Sequence, residues 1–233
     1  MKKTALLIAL PLLSMTLTSC QQSVKEEKFA SMLDEVKTTL SSDDERLKDV
    51  KIYSNLNTEV YNYKEGEYYS YKMFALILIV PITQGDYVWK EDGKYYHAET
   101  HTDSKKDRCT EITEEVFLSK MAAYKEKILN KLSEPLNTTY ELMEGTDKYE
   151  SIKNHYQYDS LDKTYIFTSQ VENKAIDESG SEILNKSTIT IKYKNGLPIL
   201  NRSKGESTSK WTYSYGKSEL VKPGIANQET SES

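Results

Sequence analysis

Two segments with helical spacing interrupt a chain that otherwise alternates apolar and polar residues. The first is predicted over about residues 24–40, because apolar residues there fall three or four apart on one face. This face comprises Phe29, Met32, Leu33, Val36 and Leu40. The second segment lies between Thr110 and Glu134, with Thr113 as the expected N-cap and Pro135 as the expected end. Its apolar face comprises Val116, Phe117, Met121, Tyr124, Ile128 and Leu132.

The strand-like stretches form two groups, about four between the predicted helices and about six after the second helix. The later six are predicted at 139–143, 150–158, 164–171, 187–194, 197–202 and 210–215. Strands and helices do not alternate along the chain, so a parallel sheet is not expected. We predict an α+β fold in which a large curved antiparallel sheet, a half-barrel, packs against two amphipathic helices.

Two dipeptides predict tight turns between strands. Asp92-Gly93 and Asn195-Gly196 each lie between strand-like stretches. Both pairs suit a two-residue hairpin turn, which requires positive φ at its two central positions. We therefore expect a hairpin at each dipeptide.

The most apolar stretch runs from Met73 to Ile82 and is apolar at both alternating positions. It is too short to span a bilayer as a helix, and Pro81 and the turn expected at Gln84-Gly85-Asp86 should end it. We interpret it as one strand buried on both faces, which needs a helix on one side and an apolar cover on the other. The candidates for contact with an apolar ligand are Phe74, Leu76, Ile77, Leu78, Ile79 and Val80.

The charge balance argues against a nucleic-acid partner. The chain has 31 basic and 36 acidic residues, a formal net charge of −5, and the two kinds are interspersed. A protein that binds phosphate backbones normally presents a basic face and has a high pI. Lys105-Lys106-Asp107-Arg108 is a local exception, which we interpret as a solvated loop.

Tyrosine is unusually frequent, with 18 residues against four phenylalanines. Its ring is apolar and its tip is polar. The excess of tyrosine suits a sheet with one partly solvated face, a groove that binds an amphiphile, or a surface that binds sugars. Tyrosines that fill cross-strand pairs on a solvent face explain it equally well.

No catalytic or cofactor-binding motif is present, so neither a catalytic residue nor a cofactor is predicted. His97, Glu99, His101 and Asp103 alternate, so they share one face of a continuous strand. Neighbouring members of this set are candidate metal ligands. Four alternate positions span about 20 Å, too far for one ion, and a solvated surface is the simpler interpretation. A hydrolase that uses these residues or carboxylates is the third-ranked hypothesis.

The N-terminus resembles the signal peptide of a bacterial lipoprotein. Lys2 and Lys3 precede an apolar run, and Leu17-Thr18-Ser19-Cys20 resembles a lipobox. The resemblance implies removal of residues 1–19 and transfer of diacylglycerol to Cys20. Acyl chains would then hold the protein at the extracytoplasmic face of a cell membrane, since two or three chains anchor stably. The scarcity of arginine suggests an AT-rich genome and a Gram-positive or wall-less bacterium.

The rest of the layout resembles the LolA/LppX-like superfamily of envelope lipoproteins and lipoprotein carriers. The resemblance rests on the helix at Phe29–Leu40, the hairpin at Tyr87–Tyr96 and the strand and turn at Ile189–Pro198. It implies a curved sheet whose concave face receives lipid or acyl chains, and it supplies no catalytic residue. We therefore expect a non-enzymatic protein that binds a lipid or other apolar ligand. The alternative is a surface or envelope interaction module that binds a protein or glycan and no small ligand.

The expected organisation has four parts. Residues 1–19 form the signal peptide, 20–28 the lipidated N-terminus and a short tether, 29–222 a single α+β domain, and 223–233 a disordered tail. Cys109 is the only cysteine besides Cys20, so no disulfide within the chain is expected after lipidation.

Overall fold

The computed structural model describes residues 21–77, 80–103, 107–176, 180–205 and 208–216. Two α-helices, α1 (Glu26–Ser41) and α2 (Glu114–Glu144), and a short 3₁₀ helix, η1 (Glu45–Lys48), lie within these ranges. The strands of the same ranges are β1 (Gln21–Ser23), β2 (Asp49–Tyr53), β3 (Asn57–Asn62), β4 (Glu67–Ile77), β5 (Val80–Glu91), β6 (Lys94–His101), β7 (Arg108–Ile112), β8 (Ser151–Asp159), β9 (Thr164–Ile176), β10 (Glu182–Lys194), β11 (Leu197–Lys204) and β12 (Thr208–Tyr215).

All twelve of these strands belong to one antiparallel sheet, which is not closed. Its order is β1-β8-β9-β10-β11-β12-β2-β3-β4-β5-β6-β7. Two meanders, β2–β7 and β8–β12, therefore join side by side where β12 pairs with β2, with Tyr213 opposite Ile52. The predicted α+β class with a large antiparallel sheet and two helices is confirmed.

The predicted distribution of strands was wrong in two places. Among the described residues, six strands lie between the helices where about four were predicted, and five follow α2 where about six were predicted. Residues 20–28, expected to form a tether, contain β1 and the first turn of α1. β1 pairs with β8 from Gln21 opposite Asp159 to Ser23 opposite Gln157. Cys20, with the rest of residues 1–20, and the expected tail at 223–233 lie outside the described residues.

The buried face of α1 matches its periodicity, because all five predicted apolar residues are buried. Phe29 is fully buried at the centre of an aromatic cluster on the sheet. Its ring centroid lies 5.2 Å from that of Tyr156, 6.0 Å from Phe167, 6.1 Å from Tyr165 and 6.3 Å from Tyr193. We call the sheet surface that carries these rings and packs against both helices the inner face.

α2 is longer than predicted and continues through Pro135 to Glu144. Proline inside a helix removes a hydrogen bond and costs about 3 kcal/mol. Leu136, Thr139 and Leu142 are buried and continue the apolar face beyond the proline. The Tyr193 hydroxyl also donates a hydrogen bond of 3.0 Å to the Pro135 carbonyl. Tertiary packing therefore holds residues 139–143 in the helix, and the strand predicted there was wrong.

The start of α2 follows the sequence signal. The Thr113 side chain accepts a hydrogen bond of 3.3 Å from the backbone N–H of Val116, which confirms the predicted N-cap. The Val116 side chain, however, is 43% exposed, so its assignment to the buried face was wrong. Phe117, the next residue of the first turn, is 5% exposed and takes the inward position in its place.

Both predicted hairpin turns are confirmed. Asp92 and Gly93 have φ of 50° and 78°, and Asn195 and Gly196 have φ of 53° and 71°. Gly196 also lies against α1, where an added Cβ would come within 2.9 Å of Thr39 Oγ1. An added Cβ at Gly93 would meet no atom within 4 Å.

The apolar run at 73–82 folds as a hairpin and not as one strand. The end of β4 pairs with the start of β5, with Ala75 opposite Ile82 and Ile77 opposite Val80. Gln84-Gly85-Asp86 lies inside β5 and does not form a turn. Periodicity cannot distinguish a doubly buried strand from two short apolar strands that pair with each other. The side chains at 74–82, and with them the predicted ligand contacts, lie outside the described part of the chain.

Candidate functional site

Helix α2 divides the surface near the inner face into two environments. Its central stripe, which includes Phe117, Met121, Tyr124, Ile128 and Leu132, is buried. One flank carries Leu118, Ala122 and Lys125 and faces η1. The other flank carries Lys120, Lys127 and Lys131, which contact polar groups of β3–β6. The helical period of 3.6 residues places these two sets on opposite sides of the buried stripe.

A cavity of about 470 Å³ opens between η1 and α2. Its apolar lining comes from Leu47, Tyr61, Tyr63, Leu118, Met121 and Ala122. A second cavity of about 270 Å³ shares Tyr63, Leu118 and Met121 with it and extends to Gly66, Lys90, Tyr95 and Phe117. We call the two together the η1–α2 groove. Leu118 and Tyr63, where the cavities meet, are each 54% exposed.

Charged side chains form the rim of this groove. Lys48 Nζ lies 3.3 Å from Asp43 Oδ2, and Lys125 Nζ lies 3.7 Å from Asp43 Oδ1. Lys64 lies 3.4 Å from Glu45 on the same side. Exposed ion pairs of this kind contribute at most about 1 kcal/mol. The lysines can therefore exchange their partners for an anionic group at little energetic cost.

Asp44, also in the groove lining, has a stronger partner. Arg46 donates to both of its carboxylate oxygens, at 2.9 Å from Nε and 2.7 Å from Nη2. These hydrogen bonds lower the pKa of Asp44 from 3.8 to about 2. Arg46 Nη1 also donates to the Asn195 carbonyl, which ties η1 to the β10–β11 turn. The η1 wall of the groove is therefore fixed by a charged contact.

The opposite flank of α2 lies over a buried acid. Glu59 on β3 is 0% exposed, and both Lys131 and Lys127 approach its Oε1, at 2.5 and 3.5 Å. Lys127 also donates a hydrogen bond of 2.7 Å to the Tyr68 hydroxyl. The Tyr68 ring stacks on that of Tyr124, with centroids 3.6 Å apart.

A second polar group continues from Tyr124. Its hydroxyl donates to Asp86 Oδ2 at 3.0 Å, and His97 Nε2 lies 3.0 Å from Asp86 Oδ1. Burial alone would raise the pKa of Asp86, but the hydrogen bonds from His97 and Tyr124 outweigh it and lower that pKa. Lys120 Nζ lies 3.5 Å from His97 Nε2. Charged and hydroxyl groups thus extend from Glu59 to Lys120 under this flank of the helix.

The metal-ligand candidates do not converge. His97, Glu99 and His101 share one face of β6, opposite Val88, Asp86 and Gln84 of β5 respectively. In the described ranges, no group of three or more His, Cys, Asp or Glu side chains is arranged to hold a metal ion. This arrangement argues against a single metal ion bound jointly by His97, Glu99 and His101.

The tyrosines occupy both faces of the sheet. Tyr61, Tyr68 and Tyr193 are fully buried in the inner core. On the other surface, which we call the outer face, Tyr69 and Tyr87 stack at 4.8 Å and Trp89 and Tyr96 stack at 5.3 Å. Core packing therefore accounts for the tyrosines of the inner face, and cross-strand pairing accounts for those of the outer face. Cys109 is buried beside the outer aromatic rings, and burial raises the pKa of its thiol.

Glu59, Lys127 and Lys131 were missed at the sequence level, as was the η1–α2 groove. One available signal was the spacing of Lys120, Lys127 and Lys131, which places them on one stripe of a helix. Another was Glu59, an acid that shares a strand face with Tyr61. The groove had no such signal, because η1 and α2 are far apart in sequence.

No helix among the residues that the structure describes is both long enough and apolar enough to cross a bilayer. No protein-family model matches the sequence, and comparisons with curated proteins and with solved structures give no match. The function of the chain is therefore inferred from its own residues.

Proposed function

We propose that the chain is a membrane-anchored extracytoplasmic lipoprotein that binds a lipid or other apolar ligand in the η1–α2 groove. Its anchor would be the acyl chains on Cys20, and its fold a LolA/LppX-like half-barrel. The observation that carries the ligand proposal is an apolar groove with a lysine-containing rim. The lipobox-like sequence before Gln21 supports the anchor.

The size and lining of the groove suit an amphiphile. Its two cavities, about 470 and 270 Å³, fall in or near the range of about 300–1,000 Å³ that is usual for small-molecule pockets. Leu118 and Tyr63 leave apolar surface exposed, which an acyl chain would cover. Lys48 and Lys125 at the rim can contact a polar or anionic headgroup.

The core explains why we propose the groove and not the space between sheet and helices. Phe29, Leu33, Ile128, Leu132 and Ile191 are at most 1% exposed, so the helices fill the inner face at these positions. A protein interior of this kind is close-packed and has no space for an acyl chain. The ligand would therefore lie beside α2 and not beneath it.

The apolar hairpin at 73–82 lies away from this groove. Gly66, which lines the smaller cavity, precedes β4, and Ile77 ends it. At about 3.3 Å per residue these positions are roughly 36 Å apart along the strand. Contacts of Phe74, Leu76, Ile77, Leu78, Ile79 and Val80 with an apolar ligand remain a separate prediction.

Native mass spectrometry with lipid extraction tests ligand binding. Residues 21–233 hold all the described strands and helices, and they would be expressed without the signal and without Cys20. We expect a reproducible mass adduct that extraction identifies as a lipid. A clean apo mass that persists after lipids are added would contradict the proposal.

The anchor has its own test. The full chain, expressed in a lipoprotein-processing bacterium, should be recovered from the membrane fraction, with a mass that matches cleavage before Cys20 plus acyl chains. The Cys20→Ala variant is the matched control and should lose both the modification and the membrane association. An unmodified, full-length mass for the native chain would exclude lipidation.

The interaction-module alternative is favoured by one observation, the aromatic row on the outer face. Tyr69 stacks on Tyr87 and Trp89 on Tyr96, with Tyr87 and Trp89 buried, and Tyr53 on the same face is 39% exposed. Stacked aromatic rings suit contact with sugars or with a protein partner. Binding of an envelope glycan that is lost in Tyr53→Ala, in a chain that binds no lipid, would support this alternative.

A further inference from the structure

Two lysines contact the buried carboxylate of Glu59, and a third shares its face of the sheet. Lys131 and Lys127 approach Glu59 Oε1 from α2. Lys72 lies on β4, two residues beyond Ser70, which pairs with Glu59 across the sheet. Successive alternate residues share a strand face, so Lys72 is on the same face as Ser70 and Glu59. We call Lys72, Lys127 and Lys131, together with Glu59, the lysine cluster.

The lysine cluster has more positive than negative charge. Glu59 supplies one negative charge for three ammonium groups. In the described part of the chain, Lys127 also donates to the Tyr68 hydroxyl, and Lys131 lies 5.4 Å from the centroid of the Trp211 ring; both partners are neutral. Of the nearby acids on this sheet face, Asp86 contacts His97 and Tyr124, and Glu99 lies one strand further away, opposite Asp86.

Burial makes this excess charge costly. Burial, together with the charges of Lys131 and Lys72, lowers the pKa of Lys127 despite the attraction of Glu59. Neutralising Glu59 needs one lysine, so the additional ammonium groups are not explained by that acid. The side chains of Lys127 and Lys131 are 37% and 24% exposed, so a solute can reach them. Glu59 Oε2 is buried and has no hydrogen-bond partner among the described residues.

We propose that the lysine cluster binds a phosphate group. Phosphate oxygens accept charge-assisted hydrogen bonds from several ammonium groups at once. The bound dianion would balance the positive charge of the cluster that Glu59 leaves unpaired. Glu59 Oε2 is then available to accept a hydrogen bond from a hydroxyl of the ligand or from a water.

The phosphate can belong to a free anion or to a lipid headgroup. Lys72 immediately precedes Met73, where the apolar hairpin begins. A phospholipid headgroup in the cluster would therefore bring its acyl chains near residues 74–82. The lipid source rests on the separate prediction that residues 74–80 contact an apolar ligand, whereas the phosphate site rests on the lysines alone.

Isothermal titration calorimetry on the full chain, purified in a neutral detergent, tests the site. The probes are inorganic phosphate and dihexanoyl phosphatidic acid, with dihexanoyl phosphatidylcholine as the probe without net charge. We expect Lys127→Gln/Lys131→Gln to weaken binding of the phosphate-bearing anion at least tenfold. The matched control, Lys174→Gln/Lys186→Gln, makes the same charge change on exposed lysines of β9 and β10 and should leave the affinity within twofold.

Glu59→Gln gives a result of the opposite sign. It removes the competing carboxylate without removing a lysine, so anion affinity should rise several-fold. If Lys127→Gln/Lys131→Gln does not fold, because it leaves Glu59 buried without a partner, Glu59→Gln/Lys127→Gln/Lys131→Gln replaces it.

The outcomes separate the two sources and the two proposals. Binding of both anions indicates a phosphate site open to free phosphate, and binding of phosphatidic acid alone indicates a lipid headgroup. Binding of neither anion, equal weakening by the control variant, or weaker binding in Glu59→Gln would overturn the inference. A chain that binds phosphate but carries no lipid in the groove keeps this inference and loses the proposed function.

Discussion

Truncation of Leu118 should weaken ligand binding without affecting the fold. Leu118 lies where the two cavities of the η1–α2 groove meet, and 54% of the residue is exposed. Full burial of a leucine side chain contributes about 1.5–3 kcal/mol, so covering this exposed half contributes about 0.8–1.6 kcal/mol. Leu118→Ala should therefore raise the dissociation constant about 4- to 15-fold.

Val116 provides a matched control on the same helix. It is also apolar and half-exposed, but it is absent from the described lining of either cavity. Val116→Ala should therefore leave ligand affinity unchanged. Both variants should keep the free energy of unfolding within about 0.5 kcal/mol of the native value, because both side chains are largely solvated.

A fluorescence titration with a dansyl-labelled fatty acid measures the effect. The native chain, Leu118→Ala and Val116→Ala would be titrated at equal protein concentration, with urea unfolding as the check on stability. Two results would refute the reasoning. One is a change below twofold in Leu118→Ala while the native chain binds the fatty acid, and the other is an equal loss in Val116→Ala.

Three further predictions concern the scaffold and the groove wall. Phe29→Ala should lower the free energy of unfolding by about 3–5 kcal/mol in urea titrations, because it removes the centre of the aromatic cluster. The control variant Leu161→Ala, in an exposed turn, should change that free energy by under about 0.5 kcal/mol. Gly196→Ala should lower the melting temperature more than Gly93→Ala, because both variants incur the cost of positive φ but only the Cβ at 196 contacts α1. An equal decrease in the two variants would contradict a packing contribution at Gly196. Because the pKa of Asp44 is lower in the folded state, its contribution is full above about pH 4 and is lost as pH falls towards 2. The stability difference between the native chain and Asp44→Asn should shrink over that window, and a constant difference would contradict the assignment.

Local sequence patterns predicted the elements that depend on neighbouring residues. The periodicity of α1 identified all five of its buried residues, because a helix buries whichever stripe is apolar. Thr113 predicted the start of α2, and Asp92-Gly93 predicted a turn, because capping and positive φ are set by the residues themselves. Each of these features depends on contacts within a few residues.

The errors occurred where distant residues outweighed a local signal. Pro135 is a helix-ending residue, but the buried residues beyond it and the hydroxyl of Tyr193, 58 residues away, hold the helix together. The apolar run at 73–82 satisfied the pattern for one strand, but its two halves pair with each other. Propensity is a small energy per residue, so tertiary contacts can override it.

The sequence by itself determined the α+β class, the antiparallel character of the sheet and the buried face of α1. It also predicts the lipid anchor, since a lipobox is read as a linear motif. Only the tertiary structure decided that β12 pairs with β2, that η1 and α2 enclose a groove, and that Lys127 and Lys131 contact the buried Glu59. Each of these features joins residues from separate elements. Their contacts stabilise the protein only after folding has brought those elements together, at the entropic cost of closing the loops between them.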